Sequence, residues 1–167
     1  CQPDALPTPF NESFGDVHTV VGPICEEVRQ VISPHQSIHQ TVRVCTGVQY
    51  IDLITGIGPV DPGFQGLEVV MKVQTAIASN ETWYTDSEGL ELQQRLRNRH
   101  LNYPHVVTEP IASNFYPCNS FALINESLGN GSLVAIADYS RATASLADGE
   151  LEFLMIRRLL YDDNRGV

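Results

Sequence analysis

The sequence predicts an all-β fold, an antiparallel β-sandwich, and three observations carry that prediction. Apolar residues recur at every second position in several short runs, and Gly, Pro, Asn and Asp separate those runs at close intervals. Pro104, Pro110 and Pro117 also cut one stretch into pieces that only sheet edges tolerate.

Residues 1–23 are rich in Pro, Asn, Asp and Gly and read as a leading segment with at most a short strand at His18 to Val21. Residues 24–167 are expected to form the sandwich domain. Ile24 to Ser33 is open to two readings. Ile24, Val28 and Ile32 fall at helical spacing behind Pro23, a good first helical residue, yet the same run also suits a strand with Glu26 and Gln30 less comfortable. Ser37 to Thr46, Val48 to Gly56 and Leu67 to Ala78 read as strands between Gly and Pro turns. In the last of these, Val69, Met71, Val73 and Thr75 alternate with Val70, Lys72 and Gln74, as a sheet with one solvated face requires.

Leu90 to Leu101 has helical propensity, with Leu92 and Leu96 four apart. Hairpin chemistry at Asp86-Ser87-Glu88-Gly89 and the alternation of Leu90, Leu92, Gln94 and Leu96 favour a strand. Phe121 to Asn125 and Leu133 to Asp138 form a further hairpin around a polar loop. Asp148-Gly149 is a turn signal, after which Leu151, Phe153 and Met155 alternate with Glu150, Glu152 and Leu154 in a strand with one well-buried face. Arg157, Arg158, Asp162, Asp163 and Arg165 then crowd nine residues. They must pair, reach solvent or face a polar cavity, because an unpaired buried charge is very costly.

At 167 residues the chain is long enough for one domain that buries about 70% of its unfolded surface. A net charge of −10 and a pI near 4.7 argue against nucleic-acid or anionic-membrane partners, since no dense basic stripe exists. No apolar run approaches the roughly 20 residues that span a bilayer, so a soluble chain is expected. Its start, Cys1-Gln2-Pro3-Asp4, has neither methionine nor a signal region and reads as processed or internal; the stop at Gly166-Val167 likewise reads as the end of a part.

Four sequons, at Asn11, Asn80, Asn125 and Asn130, favour passage through the secretory pathway and glycosylation. Cys1, Cys25, Cys45 and Cys118 allow three pairings. Cys25 with Cys45 is expected, since neighbouring strands could carry them; the alternative is a set of buried free thiols.

Chemical motifs are sparse. Neither HExxH nor His-x-Asp occurs, and His35 and His39, four apart, follow Pro34 in a β-rich context that suits surface histidines. Asp162 and Asp163 are adjacent, so a strand would send them to opposite faces rather than to the roughly 5 Å separation of a retaining glycosidase pair. Ser87 lacks a nucleophile elbow and a partner histidine, Gly56-Ile57-Gly58-Pro59 lacks the lysine and helix of a phosphate loop, and Cys118 reads as a buried apolar thiol.

Spaced motifs nonetheless resemble one family. Asp148 to Val167, DGELEFLMIRRLLYDDNRGV, resembles the GELE-x-M-x-HRR-L-x-DD-x-RG-V signature of glycoside hydrolase family 38, the zinc-dependent retaining α-mannosidases of lysosomal type. Gly58-Pro59-Val60 resembles the VGPI turn of that family, and Glu68 to Met71 with Thr75 resembles its E-V-I-x-x-x-x-T strand. Trp83 to Gly89 resembles FYTDSNG, and Thr108 to Asn119 resembles TEPVAGNYYPVN. The chain departs from the family where Asp138 to Thr143 stands for D-R-S-Q-G-G and Ile156 stands for the histidine before the arginine pair.

The resemblance implies a strand at Ile24 to Ser33 and a C-terminal β-domain of an enzyme that hydrolyses terminal α-mannosyl residues of N-glycans. It implies that the zinc ligands and the aspartate nucleophile lie on an N-terminal α/β barrel that is the partner of this chain. No catalytic residue and no metal ligand is then expected here, and the chain alone is expected to be inactive. Arg165 matches the arginine of the DD-x-RG segment, which in the family reaches toward the sugar pocket, so it is expected at the pocket rim with Asp162 and Asp163 supporting it; an inter-domain salt bridge is the other reading. Mannose-containing oligosaccharides are the expected ligands, lysosome, another secretory compartment or the extracellular space the expected location, and a homo-oligomer is an allowed assembly. The competing function is a secreted, non-enzymatic mannosidase-like sandwich that binds carbohydrate or protein.

Overall fold

A computed structural model describes residues 6–10, 15–33, 37–59, 66–104, 106–126 and 131–158. The described residues are almost wholly β, in three four-stranded antiparallel sheets. They fall into two compact units, residues 8–65 and residues 1–7 with 66–167. The division at Gly66 lies inside the stretch that the sequence reading took as one domain.

Within the first unit, β1 (Val17–Val21), β2 (Cys25–Ser33), β3 (Ile38–Cys45) and β4 (Ile51–Ile57) pair in chain order. The run that periodicity left open is therefore a strand, because pairing on both edges supplies the backbone bonds that a lone helix would have made internally. Thr19, Val28, Val42 and Leu53 lie opposite one another across the sheet, and Val21, Glu26, Val44 and Ile51 form the adjacent row. One face is therefore mostly apolar, yet it is open: Val21 is 73% exposed and Ile51 61%. The opposite face carries Glu27, which accepts hydrogen bonds from Arg29 and Arg43 at 2.7 Å each. Those bonds, Arg29 first, hold the Glu27 carboxyl below its ordinary range. Cys25 and Cys45, directly opposed on β2 and β3, form a disulfide.

The second unit is a sandwich. One sheet runs β10 (Ser132–Ile136), β9 (Phe121–Asn125), β6 (Thr82–Ser87), β7 (Glu91–Leu96); the other runs β5 (Leu67–Gln74), β12 (Glu150–Arg158), β11 (Arg141–Ala144), β8 (Tyr116–Cys118). Trp83 and Ile124 from the first sheet meet Cys118, Leu151 and Phe153 from the second in a shared core, with Met71, Leu133 and Ala135 packed around it. Pro117 sits in an edge strand, where its missing N–H costs no ladder bond. The strand expected over Leu90 to Leu101 stops at Leu96, because Asn98 takes the left-handed conformation at φ 60 and turns the chain. The run from Thr82 to Ser87, for which the sequence reading named no strand, is an inner strand.

Candidate functional site

Asp86 is the penultimate residue of β6, with its carboxylate buried beneath two turns. Oδ1 accepts the backbone N–H groups of Asn119, Ser120 and Phe121 at 2.9, 3.0 and 3.2 Å, and Oδ2 accepts that of Gly89 at 2.8 Å. Burial alone would raise its pKa, but the four amides, Ser120 foremost, outweigh it and hold the group below the ordinary aspartate range. The TDSEG motif is thus a structural knot. Ser87 beside it has no part in a catalytic triad among the described residues.

Asp148 does similar work at the turn before β12. It accepts the N–H groups of Glu81 and Asn80 and pairs with Arg97 at 2.6 Å, and those contacts, Glu81 first, hold its carboxyl low. A cavity of about 310 Å³ opens nearby, lined by Leu6, Arg97, Asn98, Pro110, Ile111, Asn114 and Leu146. No carboxylate lines it, and Asn114 is already engaged with Asn98 and Pro110, so the cavity offers no acid–base pair for glycoside cleavage.

On β12 the strand expected to have one buried face has two. Leu151 and Phe153 enter the core, while Glu150 and Glu152 on the other side are buried as well. Lys72 of β5 pairs with both, at 3.1 Å to Glu150 and 2.7 Å to Glu152. Arg157, farther along, pairs with Glu68 at 2.8 Å and stays exposed, as the charge argument required. Sequence reasoning missed the Lys72 cluster. Its only signal was two glutamates two apart in a run whose other side was apolar.

Arg165, Asp162 and Asp163 lie outside the described residues, as do Asn11 and Asn130. Asn80 sits exposed in a tight turn at φ 49, and Asn125 ends β9, half-buried and opposite Ser132. Cys118 is a buried free thiol whose pKa burial raises, which suits packing rather than nucleophilic chemistry. Among the described residues no group of three His, Cys, Asp or Glu side chains could hold a metal, so the residues described do not fit a zinc centre. Among the described residues no helix is long and apolar enough to cross a membrane.

Residues 5–165 match the C-terminal domain of the glycosyl hydrolases family 38. Over 161 residues the chain is 34% identical to lysosomal α-mannosidase of Dictyostelium discoideum, covering 95% of this chain and 16% of that protein. It is 37% identical over 155 residues to lysosomal α-mannosidase of Homo sapiens, covering 92% and 15% respectively. With α-mannosidase of Canavalia ensiformis the identity is 33% over 169 residues, covering 99% of this chain and 17% of that protein. The chain spans only 15–17% of the length of these relatives. With the sandwich and its turn motifs in place, the chain belongs to glycosyl hydrolase family 38 and carries sequence of its C-terminal domain.

Proposed function

We propose that this chain is the non-catalytic C-terminal β portion of a retaining α-mannosidase that removes terminal α-mannosyl residues from N-glycans. The observation that carries the reading is the match over nearly all of this chain to a small part of lysosomal and plant α-mannosidases. The catalytic carboxylates and the zinc belong, on this reading, to the barrel-bearing remainder of the polypeptide. The barrel supplies the chemistry; this chain supplies support.

Two observations favour a supporting role. No carboxylate lines the cavity beside Asp148, and the Glu150–Glu152 pair is buried beneath Lys72 rather than open to substrate. The apolar face of the β1–β4 sheet, with Val21, Val44, Ile51 and Leu53 exposed, is a surface that the remainder of the same polypeptide covers in the proposed enzyme. The names of the lysosomal relatives support a lysosomal location, and Asn80, exposed in its turn, is the described sequon best placed to carry glycan.

Arg165 is proposed to reach the rim of the sugar pocket. A guanidinium keeps its charge at any working pH and offers five donors to sugar hydroxyls. In the intact enzyme, Arg165→Ala should lower kcat/KM for an α-mannoside by about tenfold or more, the loss of one charged hydrogen bond, with Arg165→Lys intermediate. Unchanged kinetics would remove Arg165 from the rim. α-Mannosidase activity from the 167-residue chain by itself would overturn the non-catalytic role.

A further inference from the structure

Glu150 and Glu152 occupy successive positions on one face of β12, opposite Gln74 and Lys72 of β5. That face would be an ordinary solvated row of carboxylates if water reached it. Water does not: Glu150 is 3% exposed and Glu152 0%. Gln74 donates to Oε2 of Glu150 at 3.0 Å, whereas neither oxygen of Glu152 receives a well-directed hydrogen bond, despite the 2.7 Å approach of the Lys72 ammonium.

Among the described residues, the ion pairs of Glu150 and Glu152 are with Lys72. β11 places Ala144 opposite Glu152, and β9, packed on the far side of the sheet, presents Ala122 and Ile124. Glu68 and Arg157 pair with each other toward the other end of β5 and β12. Among the described residues, two carboxylates and one ammonium leave one uncompensated negative charge where desolvation is expensive. A bound proton removes that charge and turns a carboxylate into an O–H donor for its neighbour.

We propose that Glu152 holds a proton beneath Lys72 in acid, beside the buried Glu150, and releases it as pH rises, making the β5–β12–β11 ladder a proton-dependent latch. Burial raises the Glu152 carboxyl, Lys72 opposes that rise and Glu150 reinforces it. Burial would lower Lys72, but its close approach to Glu152 and Glu150 prevails and raises it. Because the folded pKa of Glu152 is raised, the stabilisation is complete below the ordinary glutamate value and is lost as pH rises through the folded one. The latch is firmest in acid.

Hydrogen exchange on the full polypeptide that carries this chain tests the latch, with β12 amide protection corrected for intrinsic exchange and followed from the ordinary glutamate range up to neutral pH. Protection should fall with rising pH at up to about tenfold per unit, the slope of one proton. Glu152→Gln, neutral at every pH, should flatten that slope and leave β12 more protected than wild type at the neutral end. A wild-type slope in Glu152→Gln overturns the proposal, as does weaker protection than wild type across the whole range. If Glu152→Gln does not fold, Glu150→Gln removes the other half of the pair and is read by the same two criteria. None of these readouts depends on α-mannosidase activity.

Discussion

Asp86 gathers four backbone amides from two turns, and no substitute reproduces that set. Alanine leaves those N–H groups without their acceptor, so Asp86→Ala should cost on the order of 3 kcal/mol, read as a lowered unfolding midpoint. Asparagine keeps one acceptor oxygen for the three amides on Oδ1 and loses only the bond to Gly89, so it should cost less. The sign with pH is opposite to that of Glu152. The folded pKa of Asp86 is depressed, so its contribution is present above the ordinary aspartate value and is lost as pH falls through the folded one. Two buried carboxylates in one sandwich thus answer acid in opposite directions, because four amides outweigh burial at Asp86 whereas burial, reinforced by Glu150, prevails at Glu152. At this scale the sequence showed residue types but not their company. TDSEG announced a turn, yet nothing in it marks Asn119 to Phe121, more than thirty residues away, as the partners of Asp86.

At the scale of elements, the turn into β12 is the most constrained. Gly149 holds φ at 70, and a Cβ there would stand 2.5 Å from the carbonyl oxygen of Thr75 and 2.8 Å from that of Ile77. Gly149→Ala should therefore destabilise the β5–β12 pairing by about 2 kcal/mol or more, seen as faster exchange of the β12 amides. Asp148-Gly149 was legible because turn chemistry is local. The alternation of Leu151 and Phe153 was legible for the same reason. What the alternation misjudged was the other face, since a period of two states that Glu150 and Glu152 lie opposite the core but not whether anything covers them. Ile24 to Ser33 illustrates the converse: spacing allowed helix or strand, and pairing with β1 and β3 decided it.

For the molecule as a whole, the open apolar face of the first unit is the feature that separates a free-standing module from part of a larger enzyme. In the intact protein, Leu53→Asp should lower the thermal midpoint and the yield of active enzyme, by about 2–4 kcal/mol if the face is covered. Ile54 is the control, 46% exposed against 43% for Leu53 but on the charged face, so Ile54→Asp should behave close to wild type. Equal behaviour of the two variants would mean that the face is not an interface. The sequence by itself determined the β class, the turns, the edge role of Pro117 and the family, because these depend on local periodicity, backbone preference and residue motifs in order along the chain. Only the tertiary structure decided that the chain divides at Gly66, that Lys72 stands between two buried glutamates, and that one amphipathic sheet keeps its apolar face open. Each of those rests on contacts between residues distant in sequence, which burial and pairing create and no local pattern records.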